Sequence, residues 1–264
     1  MFDTGLAALV AKFPWSTLAI AGAIAVCAIL VLIPVARHAG WVDKPDLRKA
    51  HEGDVPLVGG WAVLLAMIAL QMLGPEAGLA PTGYWLGALL LFVVALADDR
   101  KPIRARYRFL VQFAAAVAGV SLGGEVLPGI GDLLGTGAIS AWWLVGPVSV
   151  IGTVAVINAV NFNDGVDGLC GGLGFIGFFG FLIAVSIAAG LAATSGDAPA
   201  GHAASLIPLA AAVMGGLAGF LLFNMRSPIR RRAVVFMGDS GSMLVGFTLT
   251  WFAIHVPRPT VSRA

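Results

Sequence analysis

Long apolar runs recur along the whole chain, separated by short polar segments. A bilayer core of about 30 Å needs roughly 17–25 apolar residues in helix. Eight runs meet or approach that length: 17–36, 57–73, 84–97, 108–122, 142–160, 169–192, 204–223 and 242–256. The third and fourth are short, so their helices are expected to extend into flanking polar residues. The pattern predicts an all-α fold, a polytopic transmembrane helical bundle of about eight spans, as one integral membrane domain over residues 1–264. The first run is longer than a signal-peptide core of about 7–15 residues, and no small-residue cleavage site follows it, so it reads as a retained span.

Composition agrees with the pattern. The chain is 59% hydrophobic and 11% charged, against roughly a quarter charged in soluble domains. A net charge of +2 is too small to suggest a nucleic-acid partner. Cys27 and Cys170 both lie in apolar runs, which leaves no disulfide framework and no zinc spacing. Thirty-five glycines spread through the spans suit close helix packing in lipid.

Charge placement then orients the bundle, because short cytoplasmic loops collect Lys and Arg. Thirteen of the sixteen basic residues fall in the first, third and seventh loops: Arg37, Lys44, Arg48 and Lys49; Arg100, Lys101, Arg104, Arg106 and Arg108; Arg226, Arg230, Arg231 and Arg232. Segments 74–83, 123–141 and 193–203 contain none. Odd-numbered loops are therefore expected on the cytoplasmic side and the amino terminus outside. The fifth loop, 161–168, carries acids instead of bases.

Four polar clusters, near 37–60, 98–108, 158–169 and 224–242, are thereby predicted to share one membrane face. The first, Val42-Asp43-Lys44-Pro45-Asp46-Leu47-Arg48-Lys49-Ala50-His51 with Pro56-Leu57-Val58-Gly59-Gly60, also reads as an ordinary basic loop attracted to anionic lipid. The second, Asp98-Asp99-Arg100, also reads as a solvated helix end. The third places Asp164 and Asp167 among Asn158, Asn161 and Asn163, where each ionised carboxylate near hydrocarbon costs about 2.5–3.5 kcal/mol and needs a partner. Its plainer reading is an Asx-turn loop capping the sixth span. The fourth, Phe236-Met237-Gly238-Asp239-Ser240-Gly241-Ser242, precedes the eighth span. Asp239, Ser240 or Ser242 is an N-cap there, or else the helix terminus receives a diphosphate while Asp239 holds a metal over it. Carboxylate and amide oxygens without a His or Cys cluster point to Mg²⁺, or Mn²⁺ in its place. Acids facing arginines suit phosphoryl transfer, which needs positioning and charge neutralisation.

Asp98-Asp99, Asn158-x-x-Asn161-x-x-Asp164-Gly-x-Asp167-Gly-Leu169 and Phe236-Met-Gly-Asp239-Ser-Gly-Ser242, in that order, resemble the motifs of the polyprenyl-phosphate N-acetylhexosamine-1-phosphate transferases of glycosyltransferase family 4. The first loop looks like the WecA-like branch, which acts on UDP-N-acetylglucosamine, rather than the related MraY branch. The resemblance implies transfer of a sugar 1-phosphate from a UDP-sugar to undecaprenyl or another polyprenyl phosphate with release of UMP, initiating cell-envelope polysaccharide synthesis. It implies Asn161 and Asp239 as Mg²⁺ contacts and Phe236 stacked on uracil. Lys44, Arg48, Arg106, Arg108 and Asn163 would face substrate. Asp98, Asp99, Asp164 and Asp167 correspond to acids treated as catalytic or substrate-positioning. Location in the inner membrane follows, with a homodimer allowed for. Family members continue into further helices and a His-x-His-His loop, whereas His38, His51, His202 and His255 form no such motif, so the chain is expected to be a shortened member. Two other readings are an ion-coupled transporter, because intramembrane acids often mark ion paths, and a non-catalytic form that binds lipid phosphate or a partner.

Overall fold

A computed structural model describes residues 13–44, 53–73, 80–122, 129, 142–195, 200–226, 228 and 230–255. Eight helices account for most of them: α1 (Trp15–Ala39), α2 (Gly59–Leu73), α3 (Thr82–Arg100), α4 (Ala105–Ser121), α5 (Trp142–Phe162), α6 (Leu169–Ser195), α7 (Ala200–Asn224) and α8 (Gly238–His255). Each predicted apolar run corresponds to one of them, with three of the runs, 57–73, 108–122 and 242–256, reaching one or two residues past a helix end. Five helices are long and apolar enough to cross a membrane, and Gly59–Met72 of α2 is a shorter apolar helix. The chain is a multi-pass membrane protein.

The helix ends follow from local chemistry. Gly40 stops α1 in the left-handed conformation (φ 70°), returning its N–H to the carbonyls of Ala36 and Arg37. Between α3 and α4, Pro102 has no N–H to continue the ladder, and the next N–H, that of Ile103, donates to the Asp98 carboxylate. Beyond α5, Asn163–Gly165 form one tight 3-10 turn before α6.

Two boundaries differ from the sequence reading. Helix α8 begins at Gly238 rather than at 242, so Asp239 and Ser240 lie in its first turn and not in a preceding loop. Helix α5 runs through Asn158 and Asn161 to Phe162, which leaves only 163–168 as loop. A two-residue hairpin, β1 (Val42–Asp43) with β2 (Val55–Pro56), joins the otherwise helical fold.

Helix α8 is the interior element, buried almost throughout from Gly238 to Thr248. It packs against α2, α3, α4, α5 and α6, while α7 packs against α1, α2 and α6. Small residues permit close crossings: a Cβ on Gly60 would lie 2.6 Å from the Cα of Gly241. Outward-facing Leu30, Val31, Leu110 and Ile176 are exposed, as apolar side chains facing lipid would be.

Backbone pairing draws the polar segments to one end. Phe236 donates its N–H to Pro56 O at 3.0 Å, and its carbonyl accepts from Gly59 at 3.0 Å. Asn224 accepts the Gly168 N–H at 2.6 Å and donates to Val235 O at 2.9 Å. Arg100 lies 4.7 Å from the Trp41 ring centroid, joining the second polar cluster to the first.

Candidate active site

The centre of the site is a guanidinium. Arg108, in the first turn of α4, pairs with Asp98 at 2.8 Å and with Asp239 at 3.2 Å, and it donates to Asn161 Oδ1 at 3.3 Å. Asn161 completes the ring through its amide nitrogen, 2.8 Å from Asp239 Oδ1 and 2.9 Å from Ser242 Oγ. Four helices thus meet in a single hydrogen-bonded group, α3, α4 and α5 giving one side chain each and α8 giving Asp239 and Ser242. The Asp98 side chain is only 4% exposed, so removing Arg108 would leave a buried carboxylate supported by the Ile103 N–H without its cation, a destabilising change.

Asp99 does a different job. It accepts from the Asp239 N–H at 2.8 Å, the Ser240 N–H at 3.2 Å and the Ser240 hydroxyl at 2.9 Å. The Gly238 N–H goes to the Asp164 carboxylate. The first N–H groups of α8 are therefore capped by acids from α3 and from the turn after α5, with charge and helix dipole in register. This corrects two expectations: neither Asp239, Ser240 nor Ser242 caps the helix, and its terminal N–H groups are not free for a diphosphate. Gly238 has φ 76°, and a Cβ there would meet the Asp99 carboxylate at 2.8 Å, so glycine is what lets the acid sit on the helix end.

The remaining predicted residues divide. Asp167 turns from the group to Arg226, 2.7 Å away, whose side chain is 66% exposed; such a pair holds the loop lightly, by under about 1 kcal/mol. Asn163 donates back to Ala159 O at 2.8 Å, closing the end of α5. Arg106 is exposed, its guanidinium 4.8 Å from the Tyr107 ring centroid. Lys44 is exposed just after β1. Phe236 is half-buried, its backbone paired with Pro56 and Gly59 two residues before α8 begins. Arg48 lies outside the described residues.

Residues 81–256 match the profile of glycosyl transferase family 4. The chain belongs to that family. It is 35% identical over 87% of its length to an undecaprenyl-phosphate alpha-N-acetylglucosaminyl 1-phosphate transferase of Yersinia pestis, covering 59% of that protein. It is 32% identical over 86% of its length to the protein of the same description from Pasteurella multocida, covering 60% of it. To a probable undecaprenyl-phosphate N-acetylglucosaminyl 1-phosphate transferase of Bacillus subtilis it is 27% identical over 84% of its length, covering 58% of that protein. The chain thus spans about 60% of the length of these relatives. The family match contains Asp98, Asp99, Arg108, Asn161, Asp164 and Asp239.

Two further residues serve the site without having been singled out. Asn224 fastens Gly168 to Val235, and so the acidic turn to the segment that enters α8. Gln112, one turn along α4 from Arg108, is paired with Asn158. The available signal was an amide within an apolar run at helical spacing from a charged neighbour.

Proposed function

We propose that this chain transfers a sugar 1-phosphate, N-acetylglucosamine 1-phosphate above others, from a UDP-sugar to undecaprenyl phosphate, releasing UMP. The single observation that carries the proposal is Arg108 held by Asp98, Asn161 and Asp239 from three other helices. Family membership and the relatives' descriptions support the same reaction class. The distribution of Lys and Arg supports a cytoplasmic site in the inner membrane with the amino terminus outside.

The donor set fits Mg²⁺. Among the described residues no three His, Cys, Asp or Glu side chains form a ready-made cage, and Mg²⁺ needs none, since it keeps several waters and takes one or two carboxylates plus substrate phosphates. Asp239 and Asp98, already sharing one cationic group, would hold it with the Asn161 amide. When bound, the ion would neutralise charge on the phosphates.

The protein's own groups account for the rest. The acceptor phosphate monoester has a second pKa of about 6 and is largely dianionic at neutral pH, so it attacks without a general base. Asp99 is committed to the α8 amino terminus and holds Asp239 in place instead of abstracting a proton. Arg108 is positioned to meet the equatorial oxygens of a transferring phosphoryl group. Phe236, two residues before α8, offers a face for uracil. Attack of the lipid phosphate oxygen on the sugar-bearing phosphorus breaks its bond to the UMP oxygen. The deciding experiment is radiolabel transfer from a panel of UDP-sugars to undecaprenyl phosphate, with Mg²⁺ present or chelated. Label in lipid only with UDP-N-acetylglucosamine and metal is the expected result; no labelled lipid with any donor would overturn it.

A further inference from the structure

Directly beneath the Arg108 group lies a second polar rung. Gln112 is 1% exposed and forms a reciprocal amide pair with Asn158: Asn158 Nδ2 donates to Gln112 Oε1 at 2.7 Å, and Gln112 Nε2 donates to Asn158 Oδ1 at 3.3 Å. Asn158 Nδ2 also reaches the Val154 carbonyl of its own helix at 2.7 Å, and Gln112 Nε2 approaches Met243 Sδ at 3.8 Å. Met243 follows Ser242, the hydroxyl bound by Asn161. The pair therefore stands where α4, α5 and α8 meet.

Its placement relative to the site is regular. Gln112 follows Arg108 by four residues on α4, and Asn158 precedes Asn161 by three on α5. At 1.5 Å rise per residue these steps are about 6 and 4.5 Å on antiparallel neighbours, so Arg108–Asn161 and Gln112–Asn158 form consecutive rungs across one interface. Deeper still, Ala116 and Val120 of α4 pack with Val150 and Val154 of α5 and Ile254 of α8. Small apolar side chains pack at many offsets, and in lipid no hydrophobic drive selects among them. A two-way amide pair is satisfied at one offset alone, and an unmatched amide in hydrocarbon is costly.

We propose that Gln112, held by Asn158, is a positioning residue for the transfer reaction. It fixes the offset of α4 against α5 and so keeps Arg108 within reach of Asn161, Asp98 and Asp239. The inference rests on the proposed reaction for its kinetic test and on geometry alone for its structural one.

In the kinetic test, Gln112→Leu is made in the native chain and in an Arg108→Lys background. A residue that acts through Arg108 lowers kcat at least tenfold in the first and less than twofold in the second. Equal factors in both backgrounds would overturn the proposal, because a merely structural loss multiplies through. Gln112→Asn, which keeps the amide but withdraws it by one methylene, should give the same pattern at smaller amplitude and serves if the leucine variant does not accumulate.

The structural test needs no activity. Cysteines replace Ala116 and Val154 in a chain whose Cys27 and Cys170 are alanine, and a short bifunctional thiol reagent bridges them. Gln112→Leu should lower the cross-linked fraction several-fold, whereas the outward-facing control Phe113→Leu should not. An unchanged fraction in the Gln112 variant overturns the proposal. If the native chain transfers no sugar phosphate, the proposed reaction fails by itself, and the cross-link still decides whether Gln112 sets the helix offset.

Discussion

Asp98 and Asp99 are adjacent in sequence and have separate tasks. Successive side chains on a helix diverge by about 100°, so one carboxylate meets Arg108 and the other meets the amino terminus of α8. Their replacement should fail in different assays. Asp99→Ala leaves three donors on Asp239 and Ser240 without their acceptor; the expected loss is about 1–3 kcal/mol of stability, read by unfolding in detergent. Asp98→Asn should leave stability nearer the native value and lower turnover by about a hundredfold, the scale of removing one preorganised electrostatic partner. A reversed pattern would show that the division of labour is wrong. Phe236→Ala should weaken UMP binding by about 1–3 kcal/mol if it stacks on the base, and calorimetric titration with UMP reads this directly. Since the Phe236 contacts to Pro56 and Gly59 are made by its backbone, the substitution spares them. That these positions are candidates was legible from carboxylates and amides interrupting apolar runs. Which acid caps and which pairs was not, because the partners of Asp99 lie 140 and 141 positions away.

Among the helices, α8 is where sequence and structure part most. Its apolar content suggests a start at 242, but Gly238-Asp239-Ser240-Gly241 wind into helix because acids from α3 and from the turn after α5 satisfy the N–H groups of Gly238, Asp239 and Ser240. A helix terminus in such surroundings needs that acceptor before its polar first turn is stable. Contact with α2 depends on Gly241, where a Cβ would lie 2.6 Å from the Cα of Gly60 and closer still to the Met237 side chain. Gly241→Ala should separate α2 from α8 and cost about 1–3 kcal/mol, the usual range for overpacking. Thermal unfolding of the purified variant checks it, and native stability would mean that the crossing is looser than the backbone distances imply.

Taken together, the four polar segments occupy one end of the bundle, joined by the pairing of 56 with 236, 99 with 239, and 168 with 224. Cysteines placed at Lys101 and Arg231, which are both exposed at that end, should be shielded together from an impermeant thiol reagent in intact cells. A cysteine at Thr82, exposed at the opposite end of α3, should react. Labelling of Lys101 and Arg231 from opposite sides would remove the shared site. Helix number, approximate extents and the gathering of basic loops were all readable along the chain, because the cost of placing backbone and charge in hydrocarbon is local and acts on each run separately. Partner choice was not readable: Arg108 selecting Asp98, Asn161 and Asp239, Asp167 turning to Arg226, and Gln112 meeting Asn158 all depend on how helices cross. Crossing is set by which backbones approach closely, at Gly60 against Gly241 for instance, and that is a property of two distant segments at once.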